Sequence, residues 1–402
     1  MTGSLHSVVI ERFAARGDGV AADGRFVPGA VPGDQLLPDG SLVFGPDHVE
    51  PPCRHFGECG GCQLQHVSDR LIAAFARDRI LAPLARSGIE PQQVMPVHVS
   101  PEGSRRRTAF RATRTDGQVR LGFNAEGAHR LVNMEECPVL HPALFALVEP
   151  LRALLGPMLA ERSAIGITMT LTDTGVDLLL ANLQANSVPR IEGLTRFAAE
   201  HGLARLSVEG PMGVETVVAN ADPVLRMGGV PVTLPPAAFL QATADGEAAL
   251  VGAVTAILGD AARVTDLFAG SGTFAFPASR SAQVHAVDGA GPAIRALGEA
   301  ARRAGRPVAT EHRDLFRKPL SAEELSRFDA AIIDPPRAGA IAQTEQLAGS
   351  RIPVVAAVSC NPATFVRDAE RLVAAGFRLG RLWPVAQFRW STHVELVAEF
   401  RR

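Results

Sequence analysis

From about residue 245 to the end of the chain, short apolar runs alternate with longer segments in which apolar residues recur every three or four positions. The short runs have the length of strands, and the longer segments have the period of amphipathic helices. Strands that alternate with helices favour a mostly parallel sheet with helices on both faces. The pattern predicts a Rossmann-like α/β domain with a mostly parallel, seven-stranded sheet over residues 236–402. Its last strand is expected at residues 393–400.

The first part of the chain has a different pattern. Residues 1–50 contain short β segments interrupted by glycine and proline, which is typical of a small OB-like barrel. Residues 51–235 mix helical and strand patterns and predict a central α/β domain. Within it, "SRRRTAFRATRTDGQVRLGFNAEGAHRL" is expected to contain a hairpin that is crowded with arginines. We therefore expect three domains.

Composition narrows the classes of function. A net charge of −2 and a pI near 6.6 give no overall attraction to nucleic acid, so an anionic partner must be held by a local patch. Arginine supplies all but one of the 40 basic residues and tyrosine is absent, which indicates a coding bias rather than RNA binding. The chain has neither an apolar run of about 18 residues nor the core of a signal peptide. We expect a cytoplasmic monomer without a membrane partner.

Four of the five cysteines form one pattern. Cys53, Cys59 and Cys62 lie within ten residues, and Cys137 follows 75 positions after Cys62. In a reducing compartment such cysteines are metal ligands more often than disulfides. Three clustered thiolates and a distant fourth can close a tetrahedral site for zinc or an iron-sulfur cluster. The spacing favours an iron-sulfur cluster modestly over zinc.

A glycine loop predicts a nucleoside site. In "DLFAGSGTFA", Gly270 and Gly272 follow a strand that contains Asp266, and Asp288 ends the next strand 22 residues after Asp266. A carboxylate at that position can bind the hydroxyls of a ribose. The loop also satisfies the dinucleotide fingerprint. However, the rigid polar turn that begins at Asp334, in "DPPRAG", favours S-adenosylmethionine over NAD.

The fifth cysteine, Cys360, ends a buried strand in "AAVSCNPATFVRD". The following Asn361-Pro362 stops the strand and turns the thiol toward the carboxyl ends of the sheet. A nucleophile at this place needs a lowered pKa, and we expect polar donors to supply it. The alternative is a structural buried cysteine.

These motifs together resemble those of the RNA 5-methyluridine methyltransferase family, particularly its iron-sulfur-containing 23S rRNA branch. The resemblance rests on "DLFAGSGTF", "DPPRAG", "VSCNPATFVRD", "THVEL" and the cysteine cluster, and it covers nearly the whole chain. It implies methylation of a flipped-out uridine at carbon 5, with Cys360 as the nucleophile and Glu395 as the base. Ribosomal RNA is the favoured substrate, with transfer RNA as the alternative.

The resemblance also implies ligands. The four clustered cysteines would hold a 4Fe-4S cluster, residues 1–50 would form a TRAM domain, and S-adenosylmethionine would contact a set of residues in the last domain. That set is Gln241, Phe268, Gly270, Thr273, Asp288, Asp314 and Asp334. Ala386 departs from the pattern, because the family usually carries an aspartate there.

Other interpretations remain open from the residues alone. His393 competes with Glu395 as the base. The arginines of the predicted hairpin, with Phe110 and Phe123 between them, are expected to bind phosphates and stack on bases, although a solvated hairpin gives the same pattern. They are Arg105, Arg106, Arg107, Arg111, Arg114, Arg120 and Arg130. A nicotinamide-dependent oxidoreductase and a non-catalytic RNA-binding protein are the two rival functions. A cytosine-directed RNA methyltransferase is a third, but the turn at Asp334 lacks the second cysteine of that mechanism.

Overall fold

The structure is a computed structural model and describes residues 7–402. Its N-terminal module is a sheet of five short strands in the order β3-β2-β1-β4-β5, with antiparallel neighbours. Ile10 and Leu36 lie in its small core. Among the described residues the two outer strands do not pair, so the predicted barrel is an open sheet here; Met1–His6 lie outside the described part. The strands are β1 (Val8–Phe13), β2 (Gly19–Ala21), β3 (Phe26–Val27), β4 (Gln35–Leu36) and β5 (Leu42–Val43).

A helix and two short strands follow: α1 (Asp69–Arg86), β6 (Gln93–Val94) and β7 (His98–Val99). Ser68 caps α1, because its side chain accepts a hydrogen bond from the backbone N–H of Leu71. The helix buries Ile80 and Leu84 against the C-terminal part of the chain.

The central region is a six-stranded sheet in the order β13-β12-β11-β10-β8-β9. All its pairs are antiparallel except β11 and β12, which are connected through α4. The predicted hairpin is present as β8 and β9, and its turn residues Asp116 and Gly117 both have positive φ. The elements are β8 (Arg107–Thr115), β9 (Gln118–Gly122), α2 (Pro142–Phe145), α3 (Val148–Leu155), β10 (Ala164–Thr172), β11 (Gly175–Ala181), α4 (Val188–Glu200), β12 (Arg205–Gly210), β13 (Gly213–Ala219), and a separate hairpin of β14 (Val224–Met227) and β15 (Val230–Thr233).

The C-terminal region alternates helices and strands as the pattern predicts. Thr243 caps the first helix, and Asn361 caps the last one with Pro362 at its first position. The elements are α5 (Ala244–Leu258), β16 (Arg263–Leu267), α6 (Ala275–Ala278), β17 (Gln283–Asp288), α7 (Gly291–Arg303), β18 (Val308–His312), α8 (Ala322–Leu325), β19 (Ala330–Ile333), α9 (Ile341–Gly349), β20 (Val354–Ser359), α10 (Pro362–Ala374), β21 (Arg378–Ala386) and β22 (Glu395–Arg401).

The main sheet has nine strands rather than the predicted seven. Its order is β18-β17-β16-β19-β20-β22-β21-β6, with β7 also paired to β21. The first five strands are parallel, and β22 runs antiparallel to both neighbours. The two extra strands come from residues 93–99, which the sequence assigns to the central domain. Their two-residue length gives no periodic signal.

Two hydrophobic cores cover the two faces of this sheet. The strand order reverses between β16 and β19, and in open α/β sheets a ligand crevice forms at such a point, outside the carboxyl ends of the strands. No helix within residues 7–402 is long and apolar enough to span a membrane.

Candidate active site

A cleft of about 1400 Å³ lies at the carboxyl ends of the strands of the main sheet. Most of the predicted site residues line it, although they are far apart in the sequence. They are Gln241, Phe268, Gly270, Asp288, Asp314, Asp334, Cys360 and Glu395. Thr273 is the exception: it lies beyond the glycine loop and is not among the residues that line the cleft.

The glycine loop after β16 has the backbone that a close ligand requires. Phe268 has a φ of 65° and Gly270 a φ of 55°. A Cβ on Gly270 would meet nothing within 4 Å, so the backbone there is open to an incoming group. A Cβ on Gly272 would lie 2.6 Å from the ring of Phe276, which explains that glycine by packing.

Asp288 fixes this loop. Its carboxylate accepts hydrogen bonds from the backbone N–H of Gly270 at 2.8 Å and of Ala290 at 2.5 Å. Asp288 also lines the cleft at the end of β17, where the sequence predicts the ribose hydroxyls.

Two further acids end neighbouring strands in different environments. Burial raises the pKa of Asp334 to about 7. Asp266 is fully buried, does not line the cleft, and has no hydrogen-bond partner for either side-chain oxygen. Burial, and then the charges of Asp334 and Asp288, raise the pKa of Asp266 well above its usual range. Asp266 is therefore not placed to contact a ligand in the cleft, whereas Asp334 lines it.

Strand register brings Cys360 and Glu395 together. Ser359 of β20 pairs with Leu396 of β22 in an antiparallel ladder. Cys360 directly follows Ser359 and Glu395 directly precedes Leu396, so the two residues lie at the same end of this ladder, and the charge of Glu395 acts on the thiol. Both line the cleft.

The turn after Cys360 is tied to the turn after Asp334. The Asn361 side chain donates a hydrogen bond to the carbonyl of Arg337 at 2.9 Å and accepts one from the N–H of Ala363 at 3.1 Å. Thr364 donates to the same Arg337 carbonyl at 3.2 Å. The Asn-Pro sequence thus fixes both turns at the edge of the cleft.

The thiol of Cys360 is not activated in the way the sequence suggests. Burial, and then the charges of Glu395 and Asp334, raise the pKa of Cys360 to about 11, and Arg337 opposes them only in part. The expectation of a lowered pKa is wrong for the protein without ligands, because two acids rather than polar donors face the sulfur.

Glu395 has the stronger claim as a base. Only 6% of it is exposed, and burial followed by the charge of Asp334 raises its pKa to about 8. His393 lies before β22 rather than in it, and its ring contacts the guanidinium of Arg337 at 3.3 Å. The last strand therefore begins at Glu395 rather than at the expected residue 393, although both residues line the cleft.

Sequence reasoning missed Gln387, which lines the cleft and is 2% exposed. Its Nε2 donates to Gln241 Oε1 at 2.7 Å, and its Oε1 accepts from the N–H of Ala242 at 3.0 Å. Gln387 follows Ala386, whose small side chain packs in the core. The sequence contains one signal for this residue. Burying a glutamine directly after a buried strand costs free energy unless its amide forms hydrogen bonds.

The four remaining cysteines surround one small pocket of about 20 Å³, between the loop after β5 and the loop before α2. Burial raises the pKa of all four thiols, that of Cys62 to about 11 and that of Cys137 to about 12. Within residues 7–402 no three His, Cys, Asp or Glu side chains are spaced to hold a single metal ion. His55 ties the two loops by accepting from the N–H of Glu135 at 2.9 Å.

The arginine-rich hairpin is less available to RNA than its sequence suggests. Phe110 is buried and packs on Phe123 in the central core, with ring centroids 4.9 Å apart, so the expectation that Phe110 stacks on bases is wrong. Arg106 is buried against Glu247, and Arg114 donates to carbonyls near the end of α3. The exposed arginines of the predicted set are Arg111, Arg120 and Arg130.

Known proteins match this chain along its whole length, although no family model does. An uncharacterized RNA methyltransferase from Zymomonas mobilis is 46% identical over 98% of this chain and 99% of its own length. The 23S rRNA (uracil(1939)-C(5))-methyltransferase RlmD from Halomonas elongata is 34% identical over 96% of this chain and 88% of its own length. In fold, the chain is similar to the crystal structure of Pyrococcus abyssi tRNA (uracil-54, C5)-methyltransferase in complex with S-adenosyl-L-homocysteine. The TM-score is 0.77 at 22% identity, with 99% of this chain and 100% of that one covered. The chain belongs to the RNA methyltransferase family that includes the uracil-C5 enzymes.

Proposed function

We propose that this protein methylates carbon 5 of one uridine in RNA through a covalent adduct between Cys360 and carbon 6 of the uracil. The carrying observation is that Cys360 and Glu395 lie at the same end of the β20–β22 ladder and both line the cleft, as Gly270 of the glycine loop does. A nucleophile and a base on one face of a cleft are what this reaction needs.

The steps follow from the electronic structure of uracil. Carbon 5 is too electron-poor to attack a methyl sulfonium, so the sulfur of Cys360 first forms a bond to carbon 6 and places electron density on carbon 5. Carbon 5 then takes the methyl group, while the bond between that methyl and the sulfonium breaks and its electron pair leaves with the sulfur as a neutral thioether. Glu395 removes the proton from carbon 5, the double bond between carbons 5 and 6 reforms, and Cys360 leaves as a thiolate. The target base must flip out of its stack to expose the face that the thiol attacks.

S-adenosylmethionine supplies the methyl group, and the cleft fits it. The open backbone at Gly270 admits a ligand, Asp288 and Asp314 line the cleft near the loop, and Gln241 and Asp334 face it from the other side. The acidic end suits a cofactor with a cationic amino group and sulfonium.

Proton movement links these residues. Without ligands, the pKa values of about 11 for Cys360 and about 8 for Glu395 keep both side chains largely protonated at neutral pH. Positive charge beside Asp334 lowers the pKa of each group that Asp334 otherwise raises. Binding of the cationic cofactor therefore prepares the thiolate and the carboxylate.

The four thiols around the small pocket are the proposed ligands of a 4Fe-4S cluster. Their number, their thiolate chemistry and their shared pocket fit such a group, with zinc as the alternative. A pocket of about 20 Å³ is close to the size of one water molecule, so loading must spread the two loops. Methylation changes no oxidation state in the sum, so the proposed role is to organise the loops beside the cleft.

Ribosomal RNA is the proposed substrate because the ribosomal enzyme from Halomonas elongata is 34% identical over most of both chains. Transfer RNA is the second candidate, and the archaeal transfer RNA enzyme supports it by fold alone. The N-terminal sheet is the proposed TRAM-like RNA-binding module.

Mass spectrometry of ribosomal and transfer RNA from a strain that lacks this chain tests the proposal. We expect one mapped uridine of 23S rRNA to lose its methyl group and the purified protein to restore it with S-adenosylmethionine. Loss of a methyl group from transfer RNA instead would identify transfer RNA as the substrate. Unchanged RNA, with NAD rather than S-adenosylmethionine protecting the protein against heat, would support the oxidoreductase instead.

A further inference from the structure

Gln387 is anchored to a fixed point of the backbone. Its Oε1 accepts from the N–H of Ala242 at 3.0 Å. Arg106 holds the same segment from the other side, because its Nε donates to the carbonyl of Gln241 at 3.2 Å and its backbone N–H donates to the carbonyl of Ala242 at 2.9 Å. The anchor therefore does not depend on a ligand.

This anchor determines the orientation of two amide groups. A backbone N–H can only donate, so the Gln387 atom that faces Ala242 must be the oxygen. The NH₂ of Gln387 then faces Gln241, and the Gln241 atom 2.7 Å away must be its oxygen. The NH₂ of Gln241 is left to point at Asp334, with 3.5 Å between Nε2 and Oδ2.

Gln387 is tightly packed against α5. A Cβ on Gly246 of α5 would lie 2.7 Å from Cβ of Gln387 and 3.2 Å from its Oε1. Only 2% of Gln387 and 4% of Gln241 are exposed, so water does not compete for these amides.

We propose that Gln387 is a positioning residue that sets the donor face of Gln241 toward the S-adenosylmethionine end of the cleft. The inference rests on the proposed function and extends it to a residue that the sequence motifs do not include.

The effect on Glu395 has a definite sign. Burial, and then the charge of Asp334, raise the pKa of Glu395, and the Gln387 side chain and the charge of Arg337 lower it in part. Cys360 is the remaining titratable group next to Glu395. Loss of the Gln387 donor therefore raises the pKa of Glu395 and moves the acid limb of the rate profile to higher pH.

Gln387→Glu and Gln387→Met are the test variants. The first keeps the size and the acceptor for Ala242 but removes both N–H donors, and the second removes every polar atom at a similar volume. The matched control is Gln343→Glu on α9. Gln343 is also fully buried and bonds both ways to the backbone of Leu320, at 2.9 and 3.1 Å, away from the cleft.

Calorimetric binding of S-adenosylmethionine in the absence of RNA is the first measurement. We expect both Gln387 variants to bind about tenfold more weakly than the parent, as loss of one buried hydrogen bond predicts. Gln343→Glu loses thermal stability but keeps the parent affinity. In a Gln241→Met background, Gln387→Met is expected to add no further loss of affinity, because Gln387 acts through Gln241.

The pH profile of kcat/KM is the second measurement, and we expect its acid limb to move upward in both Gln387 variants and to stay in place in Gln343→Glu. Parent-like affinity in both Gln387 variants, an equal loss in the control, or full additivity with Gln241→Met would overturn the proposal. A parent that binds S-adenosylmethionine but methylates no uridine would overturn the proposed function alone. A parent that binds no S-adenosylmethionine would overturn both.

Discussion

Two regions of the molecule hold all five cysteines of the chain. Cys360 stands in a cleft of about 1400 Å³, and the other four surround a pocket of about 20 Å³. Burial is the main cause that raises the pKa of the thiol in both regions, to about 11 for Cys360 and about 12 for Cys137. Neither the residue type nor the direction of the pKa shift distinguishes them.

What distinguishes the two regions is the set of groups that share the space. Cys360 lies near two acids, Glu395 and Asp334, whose charges raise its pKa. Cys62 lies near Cys59 and Cys53 in the small pocket, where the proposed role of the thiols is to hold a cluster rather than to attack a substrate. Arg105 lies at the wall between the regions and lines both.

The largest expected effect comes from replacing the thiol in the cleft, and it should leave the other region unchanged. Cys360→Ser should lower methylation by about 10⁴-fold or more, because loss of a nucleophile removes the covalent route. The same variant should keep the metal content of the parent. Methyl incorporation from labelled S-adenosylmethionine and elemental analysis measure the two. Retained methylation activity, or loss of bound metal, in this variant would contradict the proposed difference between the two regions.

The next effect concerns the partner of Cys360. Glu395→Gln should slow turnover by about 10²- to 10⁴-fold, as loss of a general base does. A covalent protein–RNA species should accumulate on denaturing gels, because the proton on carbon 5 cannot leave. The matched control is Glu399→Gln on the same strand, since Glu399 is buried against Arg381 and Arg401 outside the cleft. No adduct in Glu395→Gln, or equal slowing in the control, would contradict the role.

The pH dependence of the parent sharpens the comparison further. Glu395 must lose its proton to act as a base, and its pKa is about 8 without ligands. Below that pH, kcat/KM for S-adenosylmethionine, which reports the protein before the cofactor binds, should fall at least about tenfold for each pH unit, because Cys360 must lose its proton as well. Replacement of Glu395 by glutamine should remove its part of this limb and leave the part due to Cys360. A parent profile that stays flat between pH 6 and pH 8 would show that another group carries the proton.

The smallest effect on chemistry is expected from the closed pocket. Cys137→Ser should reduce bound metal and lower the melting temperature by several degrees, because metal binding contributes folding free energy. Methylation per folded molecule should fall by no more than a few-fold. Absorbance and iron and zinc analysis identify the metal and its loss. A fall in activity as large as that of Cys360→Ser would give the pocket a catalytic role.

The helices and strands whose apolar residues recur with a regular spacing could be predicted from the sequence. The helix expected at residues 245–258 spans Ala244–Leu258, and the strand and helix around Cys360 lie where the apolar pattern predicts. Most motif residues meet in one cleft because parallel strands place their carboxyl ends at one edge.

Properties that depend on neighbours distant in sequence were not predictable. The raised pKa of Cys360 comes from burial and from acids on other strands, and Phe110 is buried by its contact with Phe123. Gln387 belongs to no motif, and its role becomes visible only when Gln241 is 2.7 Å away.

The two short strands from residues 93–99 carry a consequence for how the molecule is assembled and divided. They pair with β21, about 290 positions later in the chain. A fragment of residues 236–402 alone would leave an uncovered strand edge, which invites aggregation. During synthesis residues 93–99 emerge early, but their partner strand β21 is made only near the end of the chain. A truncated protein should therefore start before β6, so that its sheet keeps both short strands.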